Sequence, residues 1–382
     1  MMQNRIRGRR VHFAGRADDG TNPRMLQSFL SLLKRLSKRI LAEGGGLVVG
    51  LGDEPRHKED PTLSLIFDWV LLEAFDEYKD SVCSNWPDTR GLPIVAVGLS
   101  TWKDKMPADR KALWDDVIQS GRVELVQVES GLSVGGVLRE KQAALGDILV
   151  AAGGGPGVEH LADLYASSRK PVIPLDIQIK TKSIGSAVKL STLATQKPER
   201  FFDYEPLERA AAAYSMLSMK DRVPPEEEFE ERFFGFLCGL AKPKAFFVRL
   251  LDRKADEFKD VERFFRHVVN PVIEDEGYQR FEMMRDSTRE TFMNVEIFQT
   301  LLASALVVVD LTGLRPNCFT ELGYALGLKK KVIITARERT SVPFDTNAFP
   351  CYFYSPEMKP GRCREGLQEF IRIHINRKPI NA

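Results

Sequence analysis

No apolar run in the chain approaches the ~20 residues that a membrane span needs, and the first residues lack the apolar core of a secretory signal. A cytosolic protein with no membrane partner is therefore expected. Cysteine is scarce: Cys83, Cys238, Cys318, Cys351 and Cys363 are odd in number and scattered, with no Cys-x-x-Cys pair. That argues against a disulfide framework and a structural zinc. The 5 histidines are as dispersed, so neither a metal nor an organic cofactor is expected. An excess of one charge is lacking too, since 55 Lys and Arg against 53 Asp and Glu leave a formal net charge of +2. Nucleic acid is not an expected partner of so balanced a surface. The basic start Arg5, Arg7, Arg9, Arg10 reads as a solvated terminus.

What is present is a 382-residue chain with 43% apolar and 28% charged residues, enough for two globular domains. Strand-like runs alternate with helical spacing, which predicts an α/β fold: two Rossmann-like parallel-sheet domains joined by a helical connector. The buried-strand runs of the first half are Val11 to Ala14, Leu47 to Val49, Ile94 to Val97, Val123 to Val128, Ile148 to Ala152 and Pro171 to Leu175. Met25, Phe29, Leu32, Leu33, Leu36 and Ile40 recur at helical spacing between the first two. The texture changes near Phe202. Residues 204–242 carry Ala210 to Ala213, then Pro224-Pro225, Glu226 to Glu228 and the apolar stripe Phe229, Phe233, Leu237, Leu240, a packed helical segment. Residues 243–382 restart the alternation. Strands are expected at Ala245 to Val248, Leu306 to Val309 ending at Asp310, Val332 to Thr335 and Cys351 to Tyr354. Helices are expected from Phe258 to Pro271 and from Phe292 to Leu302.

One turn in the first half suits a ligand. The strand ending at Ala152 runs into Gly153-Gly154-Gly155-Pro156-Gly157, then a helix. Glycines there let backbone approach a ligand, and the helix start offers free N–H groups to a phosphate. A tight turn without a ligand remains the alternative. Residues 11–202 resemble the SLOG superfamily, which unites Smf/DprA with the LOG cytokinin-activating enzymes. The resemblance rests on Phe13-Ala14-Gly15-Arg16, Gly45-Gly46-Leu47-Val48-Val49-Gly50 and Gly154-Gly155-Pro156-Gly157. The segment Ile184-Gly185-Ser186-Ala187 to Phe201-Phe202 is similar to variants in prokaryotic defence proteins that sense nucleotide signals. The resemblance implies a nucleotide-sensing domain over 1–203, binding its signal with Gly15, Arg16, Gly153, Gly154, Gly155, Gly157, Glu159 and Arg139. The LOG catalytic Glu falls here at Leu161, with Glu159 about 200° round the helix. Binding without turnover is the expectation.

The second half carries a different pattern, Val309-Asp310-Leu311-Thr312-Gly313-Leu314-Arg315-Pro316-Asn317 leading into Cys318-Phe319-Thr320-Glu321-Leu322-Gly323-Tyr324-Ala325. An acid at the carboxyl end of a parallel strand sits where such sheets bind ligands. Pro316 and Asn317 suit a helix start, with Glu321 expected in its first turn. On spacing alone Glu321 could equally offset the helix dipole, and Asp310 could cap a turn. Residues 245–354 resemble the nucleoside 2-deoxyribosyltransferase and TIR-like group. That resemblance implies an effector domain over 243–382 in which Glu321 is the nucleophile at a sugar C1′. Asp310 would assist, and Asn317, Arg315, Asp286, Asn294 and Tyr324 would contact substrate. The group's acid before the nucleophile is here Arg315, which suits a phosphorylated substrate. The expected activity is N-glycosidic cleavage of NAD, ATP or a deoxynucleotide under a nucleotide-derived signal, in a homo-oligomer. A non-catalytic nucleotide-binding and oligomerising protein is the alternative.

Overall fold

Buried apolar runs become parallel strands in both halves of the chain. The computed structural model describes residues 6–80, 86–87, 91–129, 131, 134–220, 222–281, 293–343 and 349–375, with the backbone alone for 293–296 and 375. Two compact units divide it, the first holding the chain up to Pro87 and from Leu92 to Ala241, the second Gly91 and the chain from Lys242. In the first, β1 (Arg10–Arg16), β2 (Gly46–Leu51), β3 (Ile94–Leu99), β4 (Val123–Val128), β5 (Ile148–Gly153) and β6 (Val172–Leu175) form a six-stranded sheet. Its order is β4-β3-β2-β1-β5-β6, and every pairing is parallel. Such strands read as continuous apolar runs because helices cover both sheet faces.

The helix Pro23–Ala42 shows how local chemistry sets an element. Asn22 accepts the N–H groups of Arg24 and Met25 at 3.0 and 3.3 Å, and Pro23 occupies the first turn. Leu26, Phe29, Leu33, Leu36 and Ile40 then line its buried face. The helix Glu226–Gly239 packs against it. Phe229, Phe233, Phe236 and Leu237 join the same core as Leu33 and Leu36. At the rim Arg39 Nη1 donates to Glu230 Oε1 at 3.2 Å and Glu231 Oε1 at 2.6 Å, and Arg35 pairs with Glu230.

The second unit holds β7 (Lys244–Val248), β8 (Gln279–Phe281), β9 (Leu306–Asp310), β10 (Lys331–Arg337) and β11 (Cys351–Tyr354). Their order is β11-β10-β9-β7-β8, again all parallel. The structure adds β8, which no apolar run announces. It also corrects the helix expected to stop at Pro271. Helix Phe258–Phe264 passes through a wider π turn, Phe265–Val269, and continues as Asn270–Asp275. Proline lacks an N–H to donate, and the widened turn carries the chain past it.

One device recurs. Lys170 Nζ donates to the carbonyls of Ala143 and Gly146 at 2.6 and 2.7 Å, closing the end of helix Val134–Leu145. Lys330 Nζ does the same for Leu302 and Ser304 at 2.6 and 3.0 Å, after helix Met293–Ala303. Phe233→Ala should destabilise the first unit by about 3–5 kcal/mol, because a fully buried ring would leave a cavity. Urea unfolding checks this, and a loss below about 1 kcal/mol would show that the Glu226–Gly239 helix is not part of that core.

Candidate functional site

In both sheets the order reverses from a central pair, β1 beside β5 and β7 beside β9. Crossovers that leave such a pair in opposite directions open a crevice at the carboxyl ends, where α/β sheets take their ligands.

The floor of the first crevice is built on glycines, because neighbouring protein atoms fill the places their Cβ atoms would take. A Cβ on Gly15 would lie 1.8 Å from the Ala152 carbonyl oxygen, so only glycine allows β1 and β5 to approach there. Gly153 and Gly154 have φ of 59° and 69°, and the Gly154 N–H donates to the Arg16 carbonyl at 2.9 Å. Gly155 then starts the helix Pro156–Ser167, whose first amides have no side-chain cap. Arg139, from the helix Val134–Leu145, donates through Nε to His160 Nδ1 at 3.0 Å. Its Nη1 lies 3.3 Å from the point a Cβ on Gly157 would fill. Arg16 is exposed at the end of β1, with no ion pair to a described residue. Glu159 is in the first helical turn, where it accepts from Ser186 Oγ at 2.7 Å with Lys189 Nζ 3.9 Å away. The predicted residues of this half therefore gather at one sheet edge.

Sequence pattern missed Asp68 beside them. It heads the helix Asp68–Asp76 and accepts the N–H of Gly50 at the end of β2. The protein packed round it pushes its carboxyl up to about 6. No periodicity marks it, since it opens a run of apolar residues, Trp69 to Leu72.

In the second crevice the acids differ in kind. Asp310, at the end of β9, has no exposed surface. Its Oδ1 accepts the Thr312 N–H at 3.1 Å and its Oδ2 the Thr335 hydroxyl at 2.8 Å. Burial nevertheless raises its carboxyl to about 6. Thr312 Oγ1 in turn accepts the Arg337 N–H at 2.9 Å and lies 3.2 Å from the Tyr354 hydroxyl. Arg249, at the end of β7, donates to Glu262 Oε2 at 2.7 Å beneath the same edge.

Glu321 is half-buried, takes no hydrogen bond from a described residue, and burial alone pushes its carboxyl up to about 7. Its place corrects the expectation of a first-turn residue. The helix is Pro316–Gly327 with no acid in its first turn, so Glu321 lies in the second. With Pro316 already in the first position, as its fixed φ favours, the first turn is complete before Glu321 is reached. Cys318, one turn before Glu321, is buried and feels the charges of both Glu321 and Asp310. Arg315 and Asn317 are exposed at the helix start, Arg315 reaching Asp252 Oδ2 at 3.4 Å. Tyr324 stands edge-on to Phe298, ring centres 4.6 Å apart. Asp286 and the side chain of Asn294 lie outside the described residues.

These features define an α/β protein of Rossmann-like build with two strand-end crevices. The chain belongs to the family described as ATP nucleosidase Cap17-like, N-terminal, whose model matches residues 6–229. It is 26% identical over 170 residues to the ATP nucleosidase Cap17 of Escherichia coli strain KTE188, and to the same degree to another Cap17 from Escherichia coli. That stretch is 44% of this chain and 32% of theirs, so the likeness covers about a third of the curated relatives' length. Among solved structures, the single-stranded-DNA-binding DNA processing protein A of Helicobacter pylori aligns over 52% of this chain and 76% of that one. The identity is 13% and the TM-score 0.32, a likeness too slight to carry weight.

The raised carboxyl of Glu321 has a consequence for stability. Folding lifts it from an ordinary 4.5 to about 7, so the folded chain holds this proton more tightly than the unfolded one. The group's contribution is complete below pH 4.5 and is lost as pH rises through about 7. Glu321→Gln removes that loss. The variant's Tm relative to wild type should be higher at pH 8 than at pH 4, and equal differences at the two pH values would show the carboxyl to be unperturbed.

Proposed function

We propose that the chain is a nucleotide N-glycosidase of defence type. The second unit cleaves the bond between sugar and base, and a nucleotide-derived signal bound by the SLOG-like first unit controls it. The observation that carries this reading is Glu321, a half-buried carboxyl with no described partner, held near neutrality at the carboxyl edge of a parallel sheet. A carboxylate so placed suits an oxocarbenium-like transition state. The carboxylate attacks C1′, and the C1′–N bond breaks with its electron pair leaving on the base, which takes up a proton. Water then attacks C1′, releasing the sugar and the free carboxylate. Asp310, with both oxygens occupied, acts as a positioning residue that fixes Thr312 and Thr335 at the strand ends. Arg315 offers an exposed guanidinium to a substrate phosphate.

The family membership and the relatives' name, ATP nucleosidase, support a nucleotide substrate. NAD, ATP and deoxynucleotides are the candidates. The matched residues 6–229 lie in the first unit, whereas the acids suited to the chemistry lie in the second. The resemblance of residues 245–354 to nucleoside 2-deoxyribosyltransferases supports that assignment.

The experiment is release of free base from ATP, NAD and deoxynucleotides, followed by chromatography with and without cyclic nucleotides. Glu321→Gln should lower the rate by at least about 10³-fold. Because the attacking form is the carboxylate, kcat/KM should rise with pH to a plateau above about 7. Undiminished base release by the Gln variant overturns the mechanism. Absence of base release by wild type, with binding and a change in particle mass, would favour the non-catalytic assembly instead.

A further inference from the structure

Four polar side chains meet at the carboxyl ends of β9, β10 and β11: Asp310, Thr312, Thr335 and Tyr354, none more than 2% exposed. Thr312 is at their centre. Its N–H and its hydroxyl both bond to Asp310 and oppose the rise that burial imposes on that carboxyl. With its one hydroxyl proton given to Asp310, Thr312 Oγ1 can meet the Tyr354 hydroxyl, 3.2 Å away, only as an acceptor. The same oxygen accepts the Arg337 N–H at 2.9 Å. Tyr354 is itself held firmly. Its ring lies flat on Phe264, the centres 3.7 Å apart and the planes 6° from parallel, and its carbonyl accepts the Glu338 N–H at 2.8 Å.

The fold does not require this network. Asp310 and Thr335 are the last residues in register between β9 and β10, as Ala152 and Leu175 are between β5 and β6. The first sheet closes that place with two buried apolar side chains. A polar set in the same place must be desolvated, a cost the apolar pair avoids.

What the network holds is the turn after Thr312. Gly313 and Leu314 both have positive φ, 77° and 49°, and a leucine in that region is strained. Leu314 N donates back to Leu311 O at 3.0 Å, and Leu311 N to Thr335 O at 2.8 Å. Arg315 then caps the helix Pro316–Gly327. The buried face of that helix, Cys318, Leu322 and Ala325, is apolar and sets its distance from the sheet. Apolar contact is non-directional. The hydrogen-bonded turn is what fixes the helix along its axis, and Glu321 with it.

We infer that Tyr354 is a positioning residue for Glu321, its hydroxyl acting through Thr312 on the turn from which the helix of Glu321 starts. Its effect on rate rests on the mechanism proposed above; its effect on the surroundings of Glu321 needs only the turn. Tyr354 touches neither substrate nor the reacting atoms in this role, and its ring serves to aim the hydroxyl.

The test is base release from ATP by the full-length Tyr354→Phe chain, which keeps the ring on Phe264 and removes only the hydroxyl. kcat should fall at least about 10-fold with KM changed less than about twofold, as a displaced reacting group requires. Thr312→Val should do the same, and Thr312→Ser, which keeps the hydroxyl, should lose much less; melting temperatures serve as the control for folding. Isotope-edited NMR of the glutamate carboxyls, assigned against Glu321→Gln, reads the displacement without turnover. The Glu321 midpoint near pH 7 should shift in Tyr354→Phe. A kcat within about twofold of wild type, or a Thr312→Ser as slow as Thr312→Val, overturns the inference with the enzymatic reading intact. If wild type releases no base, the enzymatic reading fails and the NMR decides alone. An unmoved Glu321 midpoint then overturns the inference, and a moved one upholds it.

Discussion

The pairing of β1 with β5, and of β7 with β9, is the constraint on which the other features depend. Parallel strands cannot be joined by tight turns, so each connection must carry a helix across a face of the sheet. Right-handed crossovers that leave the central pair in opposite directions put those helices on opposite faces. The carboxyl ends of the pair are left uncovered, and Asp310 ends the strand there in the second unit. In the first unit β1 and β5 meet at Gly15 and Ala152 so closely that no side chain fits. In the second, the corresponding strand ends carry Arg249 and Asp310, which bring charge to the same place.

Asp310 and Glu321 show how two carboxyls near one strand end come to have different surroundings. Both are lifted toward neutrality by burial. Asp310 regains part of that cost from the Thr312 N–H and the Thr335 hydroxyl, and through Thr312 it links β9 to the end of β10. A group so engaged holds geometry. Glu321 has no such compensation from described residues and keeps its lone pairs available. Desolvation without hydrogen bonding is what leaves a carboxyl both basic and free.

Much of this was legible from residue order. The strands Ile148–Gly153 and Leu306–Asp310 fall where the apolar runs place them, because a strand buried on both faces has no polar alternation to confuse its limits. The glycine turn and the acid ending β9 were legible for the same reason: each directly follows such a run. What escaped notice has weak local signal. Gln279, Arg280 and Phe281 pair with β7 at the edge of the sheet, where little burial shapes composition. Asp68 is polar by chemistry but sits at the head of an apolar helix, and its role depends on Gly50, which is distant in sequence. The helix through Pro271 depends on a π turn that no residue type announces. The likeness of the two units lies in backbone bonds such as Thr21 N to Asp18 O and Ala255 N to Asp252 O and in the lysine caps, so comparing letters does not reveal it.

Helices Pro156–Ser167 and Pro316–Gly327 both start at a proline and are closed by a lysine amide bonding back, Lys170 N to Tyr165 O and Lys330 N to Ala325 O, so Leu161 and Glu321 hold matching positions. At the matching position Leu161 fills its site with apolar contacts, closing the space between the helix Pro156–Ser167 and its neighbours. A leucine there adds burial and has no charge to desolvate. The second unit forgoes that gain and holds an acid that would rather be protonated, in a helix whose start at Pro316 is already well formed without it. Neither dipole compensation nor capping accounts for it, since Glu321 lies beyond the first turn, where the dipole's influence has faded. A half-buried acid that neither caps the helix nor offsets its dipole, where the matching helix carries a leucine, fits the role proposed for Glu321.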